Sequence, residues 1–499
     1  MKIMPNYQHS YNMVIRAKIL SLAVLFSGFS FVQTGCKKLV TVDSPSNGLT
    51  SENVYTNDAT ASAVLISRYA GLGSNSPLRA FSINSISLVS GLSSDELTLY
   101  GGTANANTAL AQYYLNSLSA GISTSSSSTI WSDFYSNIYA VNLVLERLAV
   151  SGSLTPTVKQ QLMGEAKFLR AFYYFYLVNL YGDVPLTTTS DYRVDAVLSR
   201  SPQVQVYQQI ITDLNDAQNL LTGGYVGADA KSSTVERLRP NKWTATALLA
   251  RAYLYRQQWD SAELAATAVI NNTSLYSLCP NLNNVFLKNS TEAIWQIQPV
   301  NPGWNTEDAR VFILPPTGPT SNSSITGYPV YLSTQLLNSF DSSDQRRVNW
   351  LGSVTVNGNT YYYPYKYKSA TLNAPVTEYL MVFRLAEQYL IRSEARARQN
   401  NIGGATSDLD TIRKRSGLPD ISANDQPSLI AAILHERQVE LFTEWGNRWL
   451  DLKRTGNLDI VMDSVAVDKH TKWNSNWQWY PIPSYEIAQD PHLVQNLDY

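Results

Sequence analysis

From residue 130 onward, apolar and aromatic side chains return every three to four positions, and that spacing constrains the fold more than any other feature. Trp131, Phe134, Tyr135, Ile138, Val141, Leu145 and Leu148 form one such stripe, the mark of a helix with one buried face. Leu162, Ala166, Leu169, Tyr173, Tyr176 and Leu180 form a second, with Pro156 in its first turn and Gly182 near its end. The same spacing predicts helices over 202–221, 240–257, 379–399, 404–415 and 426–445.

The segment Ala250–Ile270 reads as a helix end, a short turn and another helix, with the Ala and aromatic spacing of a tetratricopeptide-like hairpin. Between the helical blocks, residues 280–378 hold nine of the 21 prolines, which excludes continuous helix there. Ala293–Gln298 and Thr360–Tyr367 read as short strands, and 332–340 as one short helix. A helix is expected over 58–72, irregular chain over 73–105, and an exposed low-complexity loop over 121–129. The expected fold is mainly α: helical hairpins carrying a loop-rich, short-strand insertion layer. The helical core covers about 130–271 and 379–456, and the irregular segments about 73–129 and 280–378. An irregular stretch this long within one domain is usually functional.

The N-terminus carries a different signal. Lys2, Arg16 and Lys18 are the only charged residues before position 37, and a fourteen-residue, largely apolar run, Ile19–Val32, follows them. That run is short for a membrane span and fits the core of an export signal. It stops at Gln33-Thr34-Gly35-Cys36. A small residue directly before a cysteine resembles the bacterial lipoprotein cleavage box, which implies that residues 1–35 are removed and Cys36 is acylated. Gln33 stands where that box carries an aliphatic residue, and Met13 would give a shorter basic region as a start.

Composition removes several functions. With 38 basic and 39 acidic residues, the chain lacks the basic footprint of a nucleic-acid binder. Two cysteines and four histidines provide neither a disulfide framework nor a four-cysteine zinc site. No metal and no cofactor is expected. The unusual count is 31 Tyr and 11 Trp against 13 Phe: rings with a polar handle suit half-wet surfaces.

Four motifs, spread through the chain in order, resemble the SusD/RagB family. They are Cys36-Lys-Lys-Leu39 with Thr50-Ser-Glu-Asn-Val-Tyr55; Glu165 through Pro185; Arg384 through Ala395 with His435 through Phe442 and Asn447 through Gly456; and Tyr480-Pro-Ile-Pro-Ser-Tyr-Glu-Ile487 with Gln495 through Tyr499. The resemblance implies a non-catalytic, lipid-anchored protein of the outer membrane, facing the cell exterior and seated on a SusC-like TonB-dependent transporter. It also implies capture of oligosaccharides or other nutrients. Ligand loops vary in the family, so the substrate does not carry over.

The remaining constellations are weighed on their chemistry. His435-Glu436 would need a second His at position 439 to hold zinc, and that residue is Val439. Glu436, Arg437, Glu440, Glu444, Arg448 and Asp451 read as an ion-pair network bracing helices, with Arg437–Glu440 and Arg448–Asp451–Arg454 at three-residue spacing. Asp95-Glu96 is the most tempting carboxylate pair for glycoside hydrolysis, but adjacent side chains diverge; exposed acids in a loop are expected. Cys279 is expected to be a buried thiol.

No catalytic residue is therefore assigned. Sugar binding asks for a flat ring beneath the apolar face of the sugar, with polar groups fixing its hydroxyls. Two irregular segments offer that mixture, and they give Asp95, Tyr100, Trp304, Asn305, Arg310 and Tyr328 as candidate ligand contacts. Trp295 and the set Trp473, Trp477 and Trp479 are expected to pack. Two alternatives stay open: a secreted glycan-cleaving enzyme, and a helical scaffold with no small ligand.

Overall fold

The computed structural model describes residues 53–73, 86–102, 108–121, 130–320 and 327–499. Cys36, the export signal and most of the 121–129 loop lie outside these residues. In chain order the helices and strands are α1 (Asp58–Gly73), α2 (Ile86–Ser93), β1 (Leu97–Leu99), α3 (Thr108–Leu115), α4 (Ile130–Val150), α5 (Pro156–Tyr181), α6 (Tyr192–Asp195), α7 (Gln203–Leu220), α8 (Lys242–Tyr255) and α9 (Trp259–Ile270). Then come β2 (Ala293–Ile297), α10 (Glu307–Phe312), β3 (Val330–Leu332), α11 (Thr334–Ser339), α12 (Gln345–Asn349), β4 (Leu351–Val356), β5 (Asn359–Pro364) and β6 (Leu380–Arg384). The chain closes with α13 (Leu385–Arg398), α14 (Ile402–Arg415), α15 (Gln426–Leu441), α16 (Asn447–Arg454), α17 (Leu458–Asp468) and α18 (Ser484–Gln489).

The predicted helical array is present. Helices α4, α5, α7, α8 and α9 pack in sequence, each against the next, and α9 then packs on α13, which packs on α14 and α15. The segment 271–384 is therefore looped out of a continuous stack. Local chemistry sets the boundaries. Asn241 forms a capping box with Thr244 at the start of α8, Asp425 caps α15, and Gly182 ends α5 at a positive φ of 79°, a conformation open to glycine.

The C-terminal half of helix α5, Phe168–Val178, is buried on every side and lies at the centre, with Arg170 as its one charged residue. Phe172 packs edge-on against Trp295 of β2 at 5.3 Å, Tyr176 at 5.1 Å and Trp445 at 5.7 Å. This ring cluster joins the helical stack to the irregular layer. Much of the Tyr and Phe in Phe172–Tyr176 is thus core, fully buried.

Among the described residues, the irregular layer holds three two-stranded antiparallel sheets: β1 with β3, β2 with β6, and β4 with β5. One expected helix is shortened. Leu380–Arg384, predicted as the start of a helix over 379–399, is a strand paired with β2. All five of its residues are buried, and a short apolar run without periodicity does not distinguish a buried strand from a buried helix turn. Likewise the stretch 73–105, expected to be irregular, contains the buried helix α2 and the strand β1.

Candidate functional site

Strands β1 and β3 pair Leu97 with Leu332, Thr98 with Tyr331 and Leu99 with Val330. Alternation along a strand sends Leu97, Leu99, Val330 and Leu332 inward and leaves Thr98 and Tyr331 on the open face. That face forms one wall of a cleft of about 450 Å³. Tyr114 of α3 enters from one side. Ser333, Thr334, Gln335 and Asn338 come from α11 and its cap, and Val465, Asp468 and Lys469 from the end of α17, with Asp95 and Leu97 completing the lining. The cleft combines tyrosine rings with hydroxyls, amides and carboxylates.

A tyrosine rim extends the wall. Tyr361 of β5 meets Tyr331 edge-on at 5.2 Å and Tyr100 at 5.7 Å. All three rings are half-buried. Burial pushes the Tyr114 phenol up to about 12, helped by Tyr331 and Asp468. Burial, with Tyr361 and Tyr100 adding to it, raises Tyr331 as well. Both stay protonated at neutral pH and act as neutral donors and acceptors.

The floor is held by buried charge. The Lys469 ammonium donates to the carbonyls of Leu92 at 2.7 Å, Ser94 at 2.8 Å and Ser93 at 3.4 Å. A cation at the C-terminal end of α2 is favourably placed. It also sits 4.9 Å from the Tyr114 ring centroid. Burial lowers its pKa to about 7, with Asp95 opposing. Ser333 caps α11, accepting from Leu336 N–H at 3.1 Å and donating to the Asp95 carbonyl.

The sequence-derived candidates separate into three groups. Tyr100 joins the rim, and Tyr328 lies beside it, its backbone paired with Thr320 in both directions at 3.0 Å. Asp95 reaches the cleft wall but is not the exposed loop acid expected. It is 5% exposed, and both its oxygens are engaged by Arg448 at 2.8 and 2.6 Å. Asn305 is 2% exposed, and its amide is consumed internally: it donates to Ser369 and Pro375 and accepts from Thr377 and Glu378. It ties the 301–305 turn to the 369–378 loop, and no donor is left for a ligand.

Trp304 and Arg310 lie away from the cleft lining and face each other, with the guanidinium 4.4 Å from the indole centroid. Glu307 accepts from Arg310 through both oxygens at 2.9 Å. The half-buried indole is a second ring platform at the surface.

Two sequence models match this chain: one described as "Starch-binding associating with outer membrane", over residues 90–254, and one for the SusD family, over residues 328–499. The chain belongs to the SusD/RagB family. It is similar to SusD-like protein P25 of Formosa agariphila, 27% identical over 453 residues that cover 78% of this chain and 82% of the relative. It is also similar to a SusD-like protein of Bacteroides ovatus, at 27% identity with 73% and 70% covered. Among solved structures, a laminarin-binding SusD-like protein superposes with a TM-score of 0.72 at 24% identity, over 89% of this chain and all of that one. Surface glycan-binding protein A of Bacteroides thetaiotaomicron, solved with laminarihexaose, gives 0.72 at 20% identity over 88% and 99% of the two chains.

The charged motifs by which this SusD-like chain resembles its family are structural, as expected, but their pairing differs from the spacing-based reading. Arg437 bonds Asp451 at 2.7 Å instead of Glu440. Glu440 gathers Arg346 at 2.8 Å, Arg384 at 2.6 Å and Arg415. Arg448 leaves Asp451 to Arg437 and Arg454 and pairs with Asp95. Glu96 is 1% exposed and accepts from Thr443 N–H at 3.1 Å, so it is no loop acid either. His435 bonds the Ser339 carbonyl at 2.9 Å, and the Cys279 thiol lies buried 3.3 Å from Ser290 Oγ. Trp295 is fully buried, and Trp473 packs edge-on against Trp449.

Proposed function

We propose that this chain is a cell-surface nutrient-binding lipoprotein that captures oligosaccharides in the tyrosine-lined cleft and passes them to a SusC-like TonB-dependent transporter without cleaving them. The observation that carries the reading is the cleft itself. Tyr331 and Tyr114 offer ring surface beside Gln335, Asn338, Thr98 and Asp468, the pairing of flat apolar face and hydroxyl partners that a sugar requires. The laminarin and laminarihexaose ligands of two structural neighbours support it. Non-catalysis is supported by Asp95, whose closure on Arg448 leaves it without the free carboxyl that an acid or nucleophile needs.

Removal of residues 1–35 and acylation of Cys36 complete the proposal, with residues 36–499 as one SusD-like domain held at the outer membrane and facing outward. Mass spectrometry of protein from the native membrane should find a lipid on Cys36 as the first residue; an unmodified Cys36 overturns the anchor.

The binding test is calorimetric titration of a panel of oligosaccharides into the protein and its Tyr331→Ala variant. A bound glycan should lose about five-fold or more in affinity, taking for the sugar–ring contact about 1 kcal/mol, the low end of what one aromatic ring contributes to a stacked nucleic-acid base. Unchanged affinity removes the cleft from the site. New reducing ends after incubation would favour the enzyme alternative instead.

A further inference from the structure

We infer that the cleft takes uncharged glycans and rejects acidic ones, those bearing uronate or sulfate groups; the inference rests on the glycan reading above and names the substrate class of that same site. It follows from where the charges around the cleft are spent.

Carboxylates and sulfates are recognised by cations with donors to spare, above all an open arginine fork. Among the described residues that line the cleft the one cation is Lys469. An ammonium has three N–H donors, and Lys469 is 7% exposed with three carbonyl acceptors, those of Leu92, Ser93 and Ser94. It has no donor left, and its charge is set against the negative end of α2. Behind the wall, Arg448 has its fork closed on Asp95, so that pair is neutral as a unit.

Asp468 is different. It is exposed at the cleft edge, and only one of its oxygens is engaged, by the Gln335 amide. Its free oxygen can accept from a sugar hydroxyl, and its charge repels an approaching anion. The side chains open to a ligand are thus neutral donors and acceptors with one net negative charge. Outside the cleft, the guanidinium over Trp304 bonds both oxygens of Glu307 through Nη1, so that pair is neutral as a unit. A hydroxyl-rich neutral sugar matches this inventory, and a polyanion does not.

The test uses the folded full-length mature protein and glycans of equal length. Laminarihexaose, maltohexaose, cellohexaose and mannohexaose are compared with oligogalacturonate, oligoalginate and a sulfated oligosaccharide, each at low and high salt. We expect a neutral glycan to bind at least about ten-fold tighter than any acidic one, with less than about two-fold change in affinity between the salts, as uncharged recognition requires. Asp468→Lys should raise affinity for an acidic glycan by about five-fold at low salt, and high salt should erase the gain. An acidic glycan preferred by the unaltered protein, with affinity falling as salt rises, overturns this inference while leaving the glycan reading standing. Failure of every glycan to bind overturns the glycan reading, and the inference with it.

Discussion

Truncation of Arg448 tests directly what holds the cleft wall in place. Its Nε and Nη2 lie 2.8 and 2.6 Å from the two oxygens of Asp95, a bidentate geometry of the strong kind. Arg448→Ala would leave that carboxylate, 5% exposed in the parent, with the Gln438 amide at 3.4 Å as its remaining hydrogen-bond partner. Breaking a buried pair from one side costs about 3–5 kcal/mol; because the Arg448 side chain retains 14% exposure, the lower figure of about 3 kcal/mol applies here. Residues 55–499 form one compact unit, and unfolding entropy near 2.1 cal/mol/K per residue gives roughly 0.9 kcal/mol/K for a unit of that size. The melting temperature should therefore fall by only about 3 °C. Scanning calorimetry at neutral pH resolves such a shift. The double variant Arg448→Ala/Asp95→Asn, which removes both charges, should recover part of the loss, with a coupling energy of about 2 kcal/mol across the cycle closed by the two single variants. A melting point within about 0.5 °C of the parent, or a coupling near zero, would refute the assignment. Binding should be measured as well: Asp95 lines the cleft, so the released carboxylate alters the wall and affinity should change in the folded variant. Spacing alone, which placed Arg448 with Asp451 far from any ligand, predicts no such change.

Glu440→Gln should be costlier, by roughly 3–5 kcal/mol in chemical denaturation, because Arg346, Arg384 and Arg415 would lose their shared anion; an unmoved midpoint would contradict the network. Burial alone would raise the Glu440 carboxyl, yet Arg415, Arg384 and Arg346 together hold it well below the carboxylate range, so its contribution is present above the ordinary carboxylate pKa and is lost as pH falls through the depressed value. Glu96 has the opposite sign: burial, then Asp95, pushes it up to about 8, so its stability is present in acid and is lost as pH rises towards that value. Glu96→Gln should accordingly become more stable relative to the parent between pH about 5 and about 8, and parallel melting profiles across that range would exclude a titrating Glu96. Trp304→Ala should weaken glycan binding several-fold with the melting temperature held; equal affinity would confine the ligand to the cleft.

Much of the fold was legible because helices write their period into the chain. The stripes of α4 and α5 and the turn within Ala250–Ile270 each follow from local chemistry, and the break in the helical stack over 280–378 followed from where prolines cluster. The misses were at β6 and α2. Both are short and buried on all sides, so no solvent-facing side marks their period, and propensity is overridden by the neighbours they pack on. The ion pairs show the same limit in another form. Glu440 has nearby partners along its own helix, yet it takes Arg346, Arg384 and Arg415 from three other segments, because a buried carboxylate is stabilised by whichever cations the fold desolvates with it.

The site was legible only in part, and the reason is geometric. Thr98, Tyr114, Tyr331, Gln335 and Asp468 come from five separate elements, and sequence reasoning that looks for rings in irregular chain sees each segment alone. It favoured Trp304 and Asn305, which sit in a conspicuous Pro-Gly turn, but a turn that must hold its shape consumes its own polar groups, as Asn305 does. The better signal was alternation. In Val330-Tyr-Leu332 and Leu97-Thr-Leu99 the two apolar residues flank one that can face solvent, and a two-stranded sheet sets those middle residues opposite each other. A half-exposed ring in a short strand between buried neighbours is held rigid from both sides. That favours stacking on a ligand, because a ring fixed in advance loses less freedom on binding than one in a turn.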